Sequence, residues 1–528
     1  MTEANSHLKV WFIILLTLTI PSLPLADSGE AHAALPDGKQ KGMTIAAWWP
    51  GEYSTPDADQ ALAELKDDGP NWLGLIVTRY QDTIASTTIY SAPGTPTDED
   101  LVHVINQAHS LGMKLMLKPH LDLANDPSHW RGDIGQGFSE SDWTAWFSSY
   151  KTFINHYAQL AQTYGADQFC VGTELVSTEF RAADWQSVIA GVRGLFTGPI
   201  TYAANPGSEI SINWWDKLDT IGVDAYYSLT DRNDPTLDEL KAAWVPLAAA
   251  LKTLSENWGK PILFTEIGYP SLDGANRQPW NGQVNNVVDL QEQADLYQAL
   301  FETFFNQDWF AGVFWFTWET DPLQGGPCDT HATPHDKPAE AVLRTWYGAP
   351  PKPAGTEAIP GLNYTRTMAV YTDQLGAGWD SWSWGGIYDF ASTEKVASGA
   401  YAISAVADSG GALALHHDNF DSSPYYWLEL TVYKSTDAAS LEVWANDEND
   451  NPMRDRPVED CRYTQGQPIA HEIWTRVRIP LKDLQASNRL LQRVSIGNRG
   501  DQTFTFYVDD MRLVGALWTT FLPLTLKP

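Results

Sequence analysis

The stretch PILFTEIGYPS, residues 261–271, is an apolar run that ends on a carboxylate, Glu266, and breaks at Gly268 and Pro270. Ile262, Leu263 and Phe264 are consecutive rather than alternating, the pattern of a strand buried on both faces of a parallel sheet. A carboxylate ending such a strand is costly to bury alone, so Glu266 needs hydrogen bonds or a nearby cation. Seven more runs of this kind surround it: MTIAAWW (43–49), WLGLIVTRY (72–80), KLMLKPH (114–120), DQFCVGTEL (167–175), PITYAAN (199–205), LDTIGVDAYY (218–227) and AGVFWFTWE (311–319). Helical patterns separate them. The clearest runs from Ser141 to Tyr164, with Trp143, Phe147, Tyr150, Ile154, Tyr157 and Ala161 at three- and four-residue spacing. Another opens at Thr97, with Asp100 three residues on, and closes at Gly112, which are cap signals. Eight strand-and-helix units over roughly 300 residues predict a (β/α)8 TIM barrel, whose usual length is about 250 residues. The competing doubly wound sheet lacks its glycine-rich phosphate loop after the first strand.

The pattern stops after Trp346, so the barrel is placed at 41–348. APPKPAGTEAIP, 349–360, has the Pro, Ala and Gly content of a linker. From 361 to 515 short alternating strands (YAISAV, YWLELTVY, LEVWAN, TRVRIPL) predict an all-β, jelly-roll-like sandwich of carbohydrate-binding type. The tail, 516–528, is apolar but too short to span a membrane. At the other end VWFIILLTLTI, 10–20, follows Lys9 and precedes Pro21, and Ala31-His32-Ala33 supplies small residues for cleavage. This predicts a secretory signal over 1–34 and a secreted, extracellular protein with no membrane attachment after cleavage.

The chain has 528 residues, too many for one ordinary core. Its formal charge of -32 repels phosphate backbones and excludes nucleic acid as a partner. The 24 Trp, 21 Tyr and 19 Phe suit large cores, and equally suit sites for ligands with flat apolar faces such as sugars. Three cysteines, Cys170, Cys328 and Cys461, allow at most one disulfide, and Cys170 reads as a small buried hydrophobe. The expected partner is a polysaccharide substrate and the expected state a monomer.

In a barrel of this kind the working residues stand at the C-terminal ends of the strands. Strand four ends in Gly172-Thr173-Glu174 and strand seven in Thr265-Glu266. A single strand-end Glu is most simply a helix cap or an ion-pair partner. Two facing carboxylates are the equipment of glycoside hydrolysis, one donating a proton and the other attacking or stabilising the sugar cation.

These residues resemble the clan of retaining glycosidases with acid/base on strand four and nucleophile on strand seven. KGMTIAAWWPGEY, KLMLKPHLDL, VGTEL, FTEIGY and HDKPAEAVLRTWY are similar, in order, to glycoside hydrolase family 113, a family of β-1,4-mannanases. The resemblance covers residues 41–347 and implies Glu174 as acid/base and Glu266 as nucleophile. It departs from the wider clan at Thr173, which stands where Asn usually contacts the sugar 2-hydroxyl.

Lys118, His120 and Asp122 alternate along KPHLD and are expected to face one cleft and bind sugar hydroxyls. Arg79 either holds Glu266 ionised or pairs with Asp82. Asn205 follows strand five, and Tyr226, after strand six, is placed to hydrogen-bond the nucleophile. Trp49 on strand one and Trp315 and Trp318 on strand eight are candidate sugar contacts, with Trp318 the floor under the reacting sugar and Trp315 the core member. Trp130 is a candidate platform for a more distant sugar. Cys328, His331 and His335 lack the fourth ligand of a zinc site, so no metal is assigned there. No cofactor is expected, except that Asp509 and Asp510 suit a structural calcium in the second domain. Trp379, Trp382, Trp384 and Tyr388 are either a stacking platform or sandwich core. The expected activity is retaining endo-hydrolysis of β-1,4-mannan by two Glu. The alternatives are the same chemistry on a β-glucan, or a non-catalytic carbohydrate-binding surface protein.

Overall fold

Eight parallel strands close into a barrel in strict chain order: β1 (Gln40–Ile45), β2 (Trp72–Gln81), β3 (Lys114–Leu123), β4 (Gln168–Thr173), β5 (Ile200–Ala204), β6 (Ile221–Asp224), β7 (Ile262–Ile267) and β8 (Phe310–Trp318). This is a computed structural model, which describes residues 38–351 and 363–517 apart from 286, 323, 437–438 and 465–468. The signal over 1–34, most of the linker and most of the tail lie outside the described residues. Around the barrel lie α1 (Pro56–Asp67), α2 (Asp98–Ser110), α3 (Glu140–Tyr164), α4 (Ala182–Arg193), α5 (Leu237–Trp258), α6 (Leu290–Phe304) and α7 (Pro338–Tyr347). Between β5 and β6 a 3-10 turn, Trp215–Lys217, stands in place of an α-helix.

Local sequence explains these boundaries. Thr97 and Asp100 close a capping box at the start of α2, and Ser139 and Asp142 do the same for α3. The α3 helix stops where Gly165 takes a left-handed φ of 84°, which a side chain disfavours. Its apolar stripe, from Trp143 through Tyr157 to Ala161, is buried against the strands.

Register decides which side chains enter the barrel. Strands β2 and β3 pair from Trp72↔Lys114 to Gln81↔Leu123. Trp72 and Met116 belong to an inner plug completed by Cys170, Ala203, Leu263 and Phe314. The same parity carries Lys118, His120 and Asp122 inward, one above another towards the mouth. Arg79, opposite Leu121, falls on the outer face with the helices.

The second domain is an antiparallel β-rich unit built on the long strand Ala402–Asp421, which pairs with Trp384–Ser392, Leu490–Asn498 and Phe504–Leu517. Its core holds Leu413, Leu415, Leu428, Val443, Val477, Ile496 and Phe506. Cys328, in the loop between β8 and α7, is disulfide-bonded to Cys461 of this domain, and Cys170 is free and buried. Arg454 of the second domain also pairs with Asp57 on α1.

Candidate active site

Two irregularities turn the carboxylates into the mouth. Ladder register shifts on both sides of β7 near Thr265 and Glu266, so these consecutive residues both reach inward. Thr265 Oγ1 donates to Asp224 at 2.8 Å, while Glu266 meets Lys118 and Tyr226. At the end of β4, Glu174 takes a left-handed φ of 54°, uncommon for a residue with a side chain. Its N–H donates to Ala203 O at 2.8 Å, which ties that turn to β5.

Glu266 is 8% exposed and each of its oxygens has a donor. Lys118 Nζ lies 2.7 Å from Oε2 and Tyr226 OH 2.8 Å from Oε1. Lys118 also donates to both oxygens of Asp224, at 2.9 and 3.0 Å. Burial works against the Lys118 ammonium, but Asp224 and Glu266 outweigh it and its pKa is raised. Burial pushes the Asp224 carboxyl up, with Lys118 pulling the other way.

Glu174 sits across from this group. Burial raises its pKa, the Arg131 guanidinium opposes the shift, and the charge of Glu266 adds to it. Arg131 Nη1 is 3.8 Å from Glu174, and the same guanidinium donates to His120 Nδ1 at 3.0 Å and to Asp122 at 3.1 Å. Because His120 Nδ1 accepts, its proton sits on Nε2, which is 3.8 Å from Glu266 and has no hydrogen-bond partner among the described residues. Burial and the two cations, Arg131 and Lys118, hold His120 well below the ordinary imidazole range, so it is neutral. The site therefore holds one carboxylate with paired donors, a second whose protonated form is favoured by burial, and a neutral N–H donor. That set can protonate a leaving oxygen and stabilise positive charge at one carbon.

The structure brings Glu174, Glu266, Lys118, His120, Asp122 and Tyr226 together. Thr173 is buried beside Glu174, and Asn205 is half-buried after β5. Trp49 lies past the end of β1, in the loop to α1, and is 57% exposed. Trp130 is also exposed, immediately before Arg131. Two expectations fail, those for Arg79 and for Trp318 as the sugar floor, while Trp315 is the core member expected. Arg79 reaches neither Glu266 nor Asp82: it donates to Tyr157 OH on α3 at 2.8 Å, because its register puts it outside the barrel. Trp315 is fully buried, stacked on Tyr297 of α6 at 3.7 Å. Trp318 is buried too, and its indole N–H donates to Ala61 O on α1 at 3.0 Å. Neither indole can form a sugar floor.

Sequence reading missed three residues. Asp224 ends an apolar run in which nothing marks it off. Arg131 adjoins Trp130 but follows β3 by a loop of uncertain length in sequence. Phe316 is the half-buried aromatic two residues beyond the interior Phe314, so strand alternation alone points it at the mouth.

Residues 46–331 match Glycoside Hydrolase Family 113, more than half of the chain. A solved complex of a GH113 β-1,4-mannanase shares 28% identity, covering 59% of this chain and 100% of its own, with a TM-score of 0.53. The GH113 β-mannanase AaManA from Alicyclobacillus acidocaldarius, in complex with ManMIm, shares 30% identity over 59% of this chain and 98% of its own, again with a TM-score of 0.53. Residues 370–516 match the expansin-like protein C-terminal domain. No curated protein matches the sequence. By the extent of the first match, the chain belongs to glycoside hydrolase family 113 and its barrel is that of a glycosidase.

Proposed function

We propose that the protein is a secreted, retaining endo-β-1,4-mannanase. Family membership supports glycoside hydrolysis, and the two mannanase structures favour mannan among β-linked polymers. The observation that carries the mechanism is the asymmetry of the two Glu. Glu266 is gripped by Lys118 and Tyr226, whereas burial favours the proton on Glu174.

In the first step Glu266 Oε attacks the anomeric carbon as the glycosidic C–O bond breaks, and Glu174 gives its proton to the leaving oxygen. In the second, Glu174 takes a proton from water, the water oxygen attacks the same carbon, and the Glu266 ester bond breaks. His120 Nε2–H is assigned to a hydroxyl of the reacting sugar, and Phe316 to the floor beneath it. Trp48, Trp49, Trp130, Phe180 and Trp280 are all exposed and all stand in loops that follow strands, which suits stacking along an extended chain.

The test is hydrolysis of a panel of β-mannan, glucomannan, β-glucan and xylan, with product lengths and anomeric configuration followed by NMR. Oligosaccharides with retained configuration from mannan are expected. Inverted products, or release of single sugars only, would overturn the reading.

A further inference from the structure

The second domain carries a cavity of about 430 Å³ that takes no part in the barrel chemistry. It lies on the face of the sheet turned away from the core. Register sets Trp384 opposite Ala412, Ala412 opposite Gly497, and Gly497 opposite Glu442. Further along, Ala414 stands opposite Ser495, and Ser495 opposite Trp444. The intervening Leu413, Leu415 and Ile496 point the other way, into the core. The middle of the outer face is thus made of small side chains, which leaves room for two indoles.

The rings of Trp384 and Trp444 have centroids 6.1 Å apart and planes inclined by 59°. A Cβ at Gly497 would stand 2.7 Å from the Trp444 ring, so glycine lets that indole lie down on the strand. Trp384 is fixed at its edge, where its N–H donates to Gly410 O at 3.0 Å, yet 39% of the residue is exposed. Beside this pair, Trp382 stacks on His416 at 3.6 Å and is also exposed.

In the polar walls each guanidinium is paired with carboxylate. Arg493 lies 5.6 Å over Trp384 and pairs with Asp450 at 2.8 Å. Arg499 lies 5.8 Å over Trp444 and pairs with Glu442 at 2.5 Å and Asp455 at 2.6 Å. Buried Ser495 Oγ and Arg493 Nε have no hydrogen-bond partner among the described residues. A ligand for this groove needs a flat apolar face for the indoles and hydroxyls for the donors and acceptors. An anion gains nothing from guanidinium groups already paired with carboxylates, on a chain of formal charge -32.

We propose that this groove binds a neutral, β-linked polysaccharide chain, with Trp384 and Trp444 stacking on its rings and Arg499 and Asp455 bonding its hydroxyls. Glycan capture here shares with mannan hydrolysis in the barrel only the premise of a neutral glycan. Binding is read without hydrolysis, so either proposal can fail alone.

The experiment is native electrophoresis of the full chain carrying Glu174→Gln, in gels containing galactomannan, hydroxyethylcellulose or polygalacturonate. Retardation by a neutral polymer is expected, with affinity lowered about 10-fold or more by Trp384→Ala and by Trp444→Ala. Which neutral polymer retards the protein identifies the backbone. In the otherwise unmodified chain, the same Trp variants should hydrolyse a soluble oligosaccharide at the unsubstituted rate. Arg499→Ala, at a more exposed position, is the companion variant if either Trp change lowers the unfolding midpoint, and it too should weaken binding. No retardation, equal retardation in all variants, or retardation by polygalacturonate alone would overturn the proposal.

Discussion

Lys118 Nζ stands 2.7 Å from Glu266 and 2.9 Å from Asp224, a buried ammonium shared by two carboxylates. Removing one member of such a group leaves uncompensated charge in a low-dielectric site. Lys118→Met is therefore expected to destabilise the barrel by about 3–5 kcal/mol and to abolish measurable hydrolysis. Denaturant unfolding of the single variant, and of Lys118→Met combined with Asp224→Asn, checks this. The second change should recover part of the loss in stability and none of the activity.

Tyr226→Phe tests the other donor to Glu266. Hydrogen bonds to charged groups contribute about 1.5–3 kcal/mol, so kcat/KM should fall by about 10- to 100-fold with little change in the unfolding midpoint. A variant with unchanged kinetics would assign the phenol to packing only.

For Glu174 the informative comparison is between leaving groups. General acid catalysis contributes about 10²- to 10⁴-fold, and kcat/KM of Glu174→Ala on mannan should drop by that factor. An aryl mannoside with an acidic phenol leaves without needing a proton and should be spared in its first step. Equal losses on both substrates would show that Glu174 does not protonate the leaving oxygen.

The pH profile carries a sign that follows from the site. An acid works while protonated, so activity is lost as pH rises through the raised pKa of Glu174. Arg131 lowers that pKa, against burial and Glu266. Arg131→Ala should therefore move the alkaline limb of kcat/KM to higher pH, whatever it does to the maximum rate. A limb that stays in place would mean another group sets it.

Disulfide mapping gives a covalent check. Non-reducing digestion should yield a peptide joining Cys328 to Cys461, with Cys170 alkylated only after unfolding.

Much of the barrel was legible because its strands are continuous apolar runs and its helices carry their own caps. Glu174 and Glu266 were found from strand ends alone, and Lys118, His120 and Asp122 from period-two alternation. The failures have two physical causes, strand parity and a register shift. A strand places neighbours on opposite faces, so a frame error of one residue inverts every assignment on it. That is why Arg79 was expected at Glu266 and lies against Tyr157, whereas Trp318 has the parity of Phe316 and is turned away by the register shift between Met43↔Trp315 and Ile45↔Trp318. The bulge that turns both Thr265 and Glu266 inward has no signature in FTEIG. Cys328 and Cys461, 133 residues apart, carried no sign of their pairing either.

That pairing bears on how the two halves can be handled. The loop after β8 is tied to the loop after β7, since Lys337 Nζ reaches both Ser271 and Asp329 and Ser271 Oγ donates to Asp329 O. The same loop is bolted through Cys328 to Cys461 of the second domain. A gene truncated after the barrel would thus remove this loop's covalent anchor and leave Cys328 an unmatched thiol. Domain deletion is not a clean subtraction in this protein, and activity lost by a shortened form would not by itself measure glycan capture by the missing half.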